Sequence, residues 1–264
     1  MDLTAAALQE FAGDAGLDPS SLVVAPLDGD GHGATFDPGA ALYPASMIKV
    51  PLAAAVLTSL ADRPGQVSLE TALEVGAANM TANDAESPLQ PGYVATLREL
   101  MHRAISRSDN VATNVLFDVI GREHATEIAH QRLGLRATAF HRKLSGSEPL
   151  IEDPAWDGVH RNAHPAADAA LLFAAIAGDR VPYAPLLRHM LAAQRWNEKL
   201  SPGLRDGDSF LHKTGDTDEV THDGGILITR EGRRYVVVVY SGLPSSPQHN
   251  ARFGRFMRRV RELL

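Results

Sequence analysis

Residues 46–57 read SMIKVPLAAAVL, and this stretch combines a reactive pair of side chains with a buried helix. Ser46 and Lys49 stand three positions apart, so their side chains share one face of a helix. The apolar run from Val50 to Leu57 is typical of a helix that is buried on all sides. Pro51 falls near its start, where a missing N–H is tolerated. The stretch therefore predicts a core helix that begins with a hydroxyl and an amine side by side.

Two further short motifs supply the other groups that acyl transfer through a serine requires. Ser108-Asp109-Asn110 begins 62 positions after Ser46, and Lys213-Thr214-Gly215 begins 105 positions after Ser108. A Ser-x-x-Lys occurs about once by chance in a chain of this length, whereas each of the other motifs is expected roughly a few hundredths of a time. The three motifs in this order therefore indicate one common site.

The motif set resembles that of class A β-lactamases and serine penicillin-binding proteins, and both gaps between motifs are close to those of class A enzymes. Similar patterns occur at Tyr43-Pro44-Ala45, at 96–101 and at 223–226, so the resemblance covers nearly the whole chain. The resemblance implies a two-lobed fold and acylation of Ser46 by an amide or β-lactam carbonyl.

The predicted elements run in the order helix, strands, helices, strands, helix. The predicted strands lie at 22–27, 33–36, 210–214, 225–229 and 235–240. We therefore predict an α+β protein of β-lactamase/transpeptidase-like fold. An antiparallel sheet built from both chain ends would carry flanking helices and an inserted all-helical lobe. One catalytic domain, 1–264, would consist of a sheet lobe (1–44 and 203–264) and a helical lobe (45–202).

Ser46, Lys49 and Ser108 are the predicted catalytic residues. A serine hydroxyl is a poor nucleophile until a neighbouring group takes its proton. Lys49 can take that proton if burial lowers its pKa enough to leave the amine neutral for part of the time. Ser108 would pass a proton to the leaving nitrogen. Taken singly, these residues also fit a helix-capping serine, a surface lysine and a turn capped by Asp109 or Asn110.

The predicted substrate-binding residues are Asn110, Lys213, Thr214, Gly215 and Asp216. Asn110 would bind a substrate amide, and Lys213 with Thr214 would hold a substrate carboxylate. Gly215 would let the substrate approach the backbone. The resemblance implies an oxyanion hole at the backbone N–H groups of Ser46 and Asp216. An alternative for Lys213 is a charge that protects a strand edge from aggregation.

The long loop, residues 141–165, departs from the class A pattern. Class A enzymes carry in this loop a glutamate, followed by Leu-Asn, that activates the water for deacylation. Here Glu148 is a partial match, but Glu152 stands where the asparagine is expected. The Arg–Asp pair that braces the loop in the family is also missing, because Gly146 and Arg161 occupy its positions. The candidates for a deacylation base are Glu148, Glu152 and Asp153. Without such a base an acyl-enzyme would persist.

Three acids follow the third motif, at Asp216, Asp218 and Glu219. Close to the seat of a substrate carboxylate they would repel it, which would favour a neutral ester or amide as substrate. A solvated turn between two strands would explain the same acids without any effect on the substrate.

Composition excludes several classes of function. The chain has 264 residues, 44% of them hydrophobic, and a net charge of −7, which predicts a sizeable core and no partner among nucleic acids or anionic membranes. The absence of cysteine excludes disulfides and thiolate metal sites. His160 and His164 lack acidic partners in helical register, so we predict no metal and no cofactor. We expect a monomer whose partner is a small molecule, namely a β-lactam, a peptide stem or an ester.

The start of the sequence, from Met1 to Ala5, carries no positive residue and no long apolar run. As written, the chain is therefore expected to be cytoplasmic, and periplasmic or secreted if a leader was removed. No run approaches the roughly 20 apolar residues of a membrane span.

Three functions fit these features. The leading hypothesis is a serine hydrolase that forms an acyl-enzyme with a β-lactam or a related amide or ester. The second is a penicillin-binding peptidase or promiscuous esterase with slow deacylation. The third is a non-catalytic binding or sensor module that keeps the fold and forms a stable acyl adduct.

Overall fold

The computed structural model describes residues 3–29, 33–63, 65, 67–83, 85–145 and 151–264. Within these ranges the strands are β1 (Ser20–Pro26), β2 (Ala34–Phe36), β3 (Ala72–Glu74), β4 (Val94–Thr96), β5 (Ser209–Asp216), β6 (Thr221–Ile228) and β7 (Arg234–Ser241). Five of them form one antiparallel sheet in the order β2-β1-β7-β6-β5, and β3 pairs with β4 separately. Strand β5 is therefore an edge strand of the main sheet.

The helices in the same ranges are α1 (Ala5–Ala15), α2 (Lys49–Asp62), α3 (Leu97–Ser106), α4 (Asn110–Ile120), α5 (Arg122–Gln131), α6 (Ala166–Ala177), α7 (Ala184–Ala192) and α8 (Pro247–Leu263). A one-turn 3₁₀ helix, Ala45–Ile48, leads directly into α2. Several helices begin where a short polar side chain accepts a backbone N–H, as Thr4 does for α1 and Ser246 for α8.

The main sheet separates two apolar layers. Val237 and Val239 of β7 belong to the layer with α1 and α8, whereas Val236, Val238 and Tyr240 belong to the layer with the remaining helices. This division follows from the strand geometry, because successive side chains point to opposite faces. Burying each such valine stabilises the fold by roughly 1.5–3 kcal/mol of transfer free energy.

Helix α2 lies in the middle of the second layer, and its residues from Leu52 to Leu57 are at most 1% exposed. By length and composition alone, Ala45–Asp62 is long and apolar enough to cross a membrane. This differs from the expectation that no segment approaches the length of a membrane span. Inside the protein, however, 78% of this segment is buried, which is the pattern of a core helix.

The architecture confirms the predicted fold, with one antiparallel sheet drawn from both chain ends and flanked by helices. The small β3–β4 sheet was not predicted, because three-residue strands carry too little alternation to be recognised. Ser46 belongs to the 3₁₀ turn at 45–48 and not to α2 itself. The division into a sheet lobe and a helical lobe at the stated boundaries stays a prediction.

Candidate active site

The three motifs meet around the hydroxyl of Ser108. Lys49 Nζ donates to Ser108 Oγ at 3.2 Å and to the carbonyl oxygen of Ser108 at 2.5 Å. Lys213 Nζ donates to the same Oγ at 3.0 Å and to the carbonyl oxygen of Thr214 at 2.8 Å. The hydroxyl of Ser108 therefore lies between two lysine side chains, one from α2 and one from β5.

Ser46 is half-buried in the 3₁₀ turn, three residues before Lys49. The preceding residue, Ala45, has a φ of +48°, a left-handed conformation that alanine rarely adopts. Such a backbone costs about 1–3 kcal/mol and persists only where the surroundings hold it. Within the described part of the chain no hydrogen bond joins the side chains of Ser46 and Lys49. The serine hydroxyl is thus presented on a strained turn and is not bonded to the amine.

The turn that carries Ser108 is fixed by Asp109. Asp109 caps α4 by accepting the N–H of Ala112 at 2.9 Å, and it also accepts from Asn83 Nδ2 at 2.7 Å and Ser87 Oγ at 2.5 Å. Ser108 itself has a φ of +59°. The capping interpretation of this motif is therefore correct for Asp109, and it is compatible with a catalytic interpretation of Ser108.

Both polar atoms of the Asn110 side chain are engaged within the protein. Its Oδ1 accepts from Lys49 Nζ at 2.7 Å, and its Nδ2 donates to the carbonyl oxygen of Ala82 at 3.0 Å. Asn110 therefore orients the lysine. The predicted contact with a substrate amide would use the second N–H of Nδ2, because only one of its two donors is bonded to Ala82.

Lys49 and Lys213 are fully buried, and burial is the largest influence on the pKa of each amine. Burial lowers the pKa of Lys49 well below its ordinary value, the charge of Lys213 acts in the same direction, and Asp109 opposes both. Burial also lowers the pKa of Lys213 to about 7, against the opposing charge of Asp216. Both amines therefore reach the neutral form more easily than exposed lysines do.

Lysine is scarce in this chain, with only four among 25 lysines and arginines, and all four are buried. One that the sequence analysis missed is Lys199, whose Nζ donates to Asp216 Oδ1 at 2.6 Å and to the carbonyl oxygens of Gly215 and His222 at 3.1 and 2.9 Å. The rarity of lysine beside abundant arginine is the sequence signal that could have identified it.

Two of the three acids after the third motif, Asp216 and Glu219, have cationic partners. Asp216 accepts from Lys199 and from Ser245 Oγ at 2.5 Å. Burial would raise the pKa of Asp216, but the charge of Lys199 and these hydrogen bonds outweigh burial and hold that pKa below its ordinary value. Glu219 pairs with Arg161 at 2.9 Å. The argument that these acids repel a substrate carboxylate therefore fails for Asp216 and Glu219.

Gly215 packs directly against the turn that carries Ser46. A Cβ at this position would lie 3.0 Å from the carbonyl oxygen of Pro44 and 3.3 Å from the Cβ of Ala45. A side chain would have to displace the backbone of the turn. The motif predicts that Gly215 allows a close approach of the substrate, whereas in the structure its missing side chain makes room for the turn.

The backbone N–H of Asp216 points to the open edge of β5. Asp216 pairs in register with Thr221, and the next N–H along, that of Thr217, donates inward to the carbonyl oxygen of Val220. Successive N–H groups of a strand alternate in direction, so the N–H of Asp216 points away from β6. That direction is the one a substrate-facing donor requires.

The long loop is braced by residues that the sequence analysis did not identify. Asp153 forms an ion pair with Arg122 and accepts the backbone N–H of Lys143 at 2.7 Å. Asn162 Oδ1 accepts the N–H of His141 at 2.7 Å and thereby ties the two ends of the loop together. The loop is supported without the Arg–Asp pair of the resembling family.

These contacts separate the three candidates for a deacylation base. Both carboxylate oxygens of Asp153 are bonded and its side chain is 4% exposed, so it is a structural acid. Glu152 is exposed on the surface. Glu148 lies outside the described residues, so its role stays a prediction.

Leu144 of the loop is held against α4. Asn114 Oδ1 accepts the N–H of Leu144 at 2.8 Å, and Asn114 Nδ2 donates to the carbonyl oxygen of Leu144 at 2.9 Å. Asn114 lies four residues after Asn110, so the two amides share one face of α4. The loop residue that Asn114 holds on this face of α4, the face that also binds Lys49, is therefore Leu144. Leu144 is 7% exposed.

The expectation that His160 and His164 lack acidic partners in helical register is wrong for His160, because Asp157 lies three residues before it and contacts its ring. His160 Nδ1 lies 2.5 Å from Asp157, and His164 Nδ1 lies 2.8 Å from the hydroxyl of Thr138. Over the described ranges, no group of three or more histidines and acids converges as candidate metal ligands.

Comparison with known proteins gives a consistent result. A model described as "Beta-lactamase enzyme family" matches residues 4–262. A β-lactamase of Bacteroides uniformis is 28% identical over 213 residues, which cover 74% of this chain and 69% of the relative. A mutant of PBP-A, solved as an acyl-enzyme complex with penicillin G, gives a TM-score of 0.82 at 23% identity and covers 97% of this chain and 95% of that one. An ancestral class A β-lactamase gives 0.82 at 23% identity and covers 98% and 99%. At this identity the structural likeness establishes a shared fold.

Proposed function

The chain belongs to the beta-lactamase enzyme family, and from that premise we propose that this serine hydrolase of the β-lactamase type works through an acyl-enzyme on Ser46. The substrate is a β-lactam or a related amide or ester. One observation carries the proposal: the hydroxyl of Ser108 is held between Lys49 and Lys213. This arrangement connects a base beside Ser46 with a donor for the leaving group.

In acylation, Ser46 Oγ forms a bond to the substrate carbonyl carbon and gives its proton to the neutral amine of Lys49. The C–N bond of the lactam then breaks, and the leaving nitrogen takes a proton from Ser108 Oγ. Lys49 returns its proton to that oxygen, so the protein regains its starting protonation. The 3.2 Å contact between Lys49 Nζ and Ser108 Oγ supports this transfer.

The negative charge that develops on the carbonyl oxygen requires donors fixed in advance. The backbone N–H groups of Ser46 and Asp216 are the proposed donors. The outward direction of the Asp216 N–H on β5, and the contact of Gly215 with the turn at 44–45, support a short distance between the two donors.

A carboxylate on the substrate is held by Lys213 and the hydroxyl of Thr214. Asp216 opposes this binding little, because the buried ammonium of Lys199 compensates the charge of its carboxylate. The role of Asn110 is to orient Lys49 through its Oδ1. These contacts favour an anionic β-lactam over the neutral ester suggested by the acid-rich sequence.

The pKa of about 7 for Lys213 predicts that affinity for a carboxylate-bearing β-lactam falls as the pH rises through about 7. Below this pKa the side chain is an ammonium that attracts the carboxylate, and above it the amine is neutral and the attraction is lost. The measurement is the dissociation constant of the non-covalent penicillin complex across this range. A neutral ester probe is the control, and an identical pH dependence for both ligands would contradict the assignment.

The second candidate function, a penicillin-binding peptidase or esterase that deacylates slowly, is favoured by the long loop. Asp153 is tied to Arg122, and the loop residue clamped to α4 is Leu144. Neither can activate a water. PBP-A, whose fold this chain shares, was captured as an acyl-enzyme with penicillin G in a mutant form.

The test is an intact-mass time course with a penicillin and a cephalosporin at neutral pH, with Ser46→Ala as the control. An adduct on Ser46 that appears and then decays as product accumulates would support an efficient β-lactamase. An adduct that persists would support slow deacylation, and if no ester or peptide were turned over it would support the sensor alternative. An adduct of equal yield in Ser46→Ala would overturn the proposal. Neither adduct nor hydrolysed product in the wild type would overturn β-lactams as substrates and leave esters and other amides.

A further inference from the structure

His222 of β6 joins the turn that carries Ser46 to the main sheet. The imidazole is fully buried, and its Nε2 lies 2.8 Å from the carbonyl oxygen of Tyr43, three residues before Ser46. Its ring stacks on Tyr240, the cross-strand neighbour on β7, with the centroids 4.1 Å apart. The stacking partner restricts the ring to one plane, so the direction of Nε2 is set by the sheet.

The neighbours of the ring determine which nitrogen carries the hydrogen. Nδ1 lies 3.2 Å from the backbone nitrogen of Ser241 and 2.8 Å from the carbonyl oxygen of Thr221. With the hydrogen on Nε2, the ring donates to Tyr43 and accepts from Ser241, which makes two hydrogen bonds. With the hydrogen on Nδ1, the ring bonds only Thr221 and sets the lone pair of Nε2 against an oxygen. The first form is favoured because it makes one hydrogen bond more, although its unprotonated Nδ1 also faces the carbonyl oxygen of Thr221. Burial lowers the pKa of His222 to about 4 and keeps the ring neutral in either form.

The backbone of His222 faces the other half of the site. Its carbonyl oxygen accepts from Lys199 Nζ at 2.9 Å, and Lys199 also binds Gly215 and Asp216 at the end of β5. His222 is the register partner of Gly215. His222 therefore contacts both the turn before Ser46 and Lys199, which binds Asp216.

We propose that His222 is a positioning residue for acylation, which sets the distance between Ser46 and the backbone N–H of Asp216. This inference rests on the proposed acyl-enzyme function. The turn it holds contains the left-handed Ala45, so the turn keeps its shape only while its surroundings restrain it. Releasing the carbonyl of Tyr43 would let the turn relax and move Ser46 relative to the proposed oxyanion donors.

The test measures the limiting acylation rate constant and the dissociation constant of the non-covalent complex separately, with penicillin G as the probe. His222→Leu removes the donor and keeps an apolar side chain. We expect the acylation rate constant to fall about 100-fold, as for a displacement of the reacting groups of about 1 Å, and the dissociation constant to change less than about twofold. His222→Gln, whose amide reaches as far as Nε2, is expected to recover most of the rate.

His164→Leu is the matched control, because His164 is also buried but contacts Thr138 and neither the turn nor β5. It is expected to lose stability and keep the acylation rate constant. If His222→Leu does not fold, His222→Gln is compared with the shorter His222→Asn, and only the former should acylate well. Equal rates for Gln and Asn, a normal rate in folded His222→Leu, or a loss confined to the dissociation constant would each overturn the inference. A wild type that gives neither adduct nor hydrolysed penicillin would instead overturn the proposed function for β-lactams.

Discussion

Lys49→Met is expected to slow acylation of Ser46 about 10³-fold, the scale on which a positioned general base contributes. Burial lowers the pKa of Lys49 well below its ordinary value, so a neutral amine is available to take the serine proton. Methionine fills similar space without a basic nitrogen. The measurement is the rate of adduct formation by intact mass, with a denaturation curve for each variant, because Ser108 and Asn110 lose a donor.

Lys49→Arg is the matched control for charge. Arginine stays protonated in proteins, so it supplies the positive charge and cannot accept the proton. A loss as large as that of methionine would support proton transfer to the amine. Wild-type acylation in the arginine variant would mean that only the charge of Lys49 matters, and the assignment of Lys49 as base would be withdrawn. The direction of the pH dependence follows from the same assignment. The acylation rate constant should fall as the pH drops, because the amine of Lys49 becomes protonated and can no longer accept the serine proton.

Leu144→Glu is expected to shorten the lifetime of the acyl-enzyme by about 100-fold, within the range of general base catalysis. Asn114 holds both backbone polar groups of Leu144, so the substituted side chain would start from a fixed position along the face of α4 that binds Lys49. The site is buried, and burial raises the pKa of a carboxyl towards the range of an effective base. The rate of adduct decay after removal of excess penicillin is the quantity to measure.

Leu144→Gln controls for shape and polarity, because glutamine matches glutamate in size and is not a base. It should leave the adduct as stable as in the wild type. A glutamine variant that deacylates as fast as the glutamate variant would show that loosening of the loop, and not a base, releases the product. A wild-type adduct that already decays within seconds would point to Glu148 as a working base and remove the premise of this substitution.

The site residues that could be predicted from the sequence are those that belong to short, recognisable motifs. Ser46 and Lys49 are spaced by about one helical turn, and the other two motifs are rare tripeptides. All three motifs can therefore be recognised before the fold is known. The structure brings both Lys49 and Lys213 within hydrogen-bonding distance of the hydroxyl of Ser108. The candidate strands at 22–36 and 210–240 also predicted a sheet drawn from both ends of the chain.

The residues that could not be predicted act through contacts that leave no local pattern. Lys199, which is distant in sequence, compensates the charge of Asp216. Because this contact cannot be seen in the sequence, the acids after the third motif are predicted to repel a substrate carboxylate. His222 is one of eleven histidines, and only the folded sheet distinguishes it from the others. The brace between Arg122 and Asp153 is invisible for the same reason, because neither residue occupies the position that the resembling family uses.

The burial of every lysine has a consequence for the outer surface of the protein. Because Lys49, Lys143, Lys199 and Lys213 are all at most 8% exposed, the basic side chains that meet solvent are arginines and histidines. Reagents that couple to lysine amines, such as activated esters and aldehydes, would find no lysine to label on the folded exterior. Lysine labelling would then report on opening of the interior, which makes it a sensitive probe of unfolding in this chain.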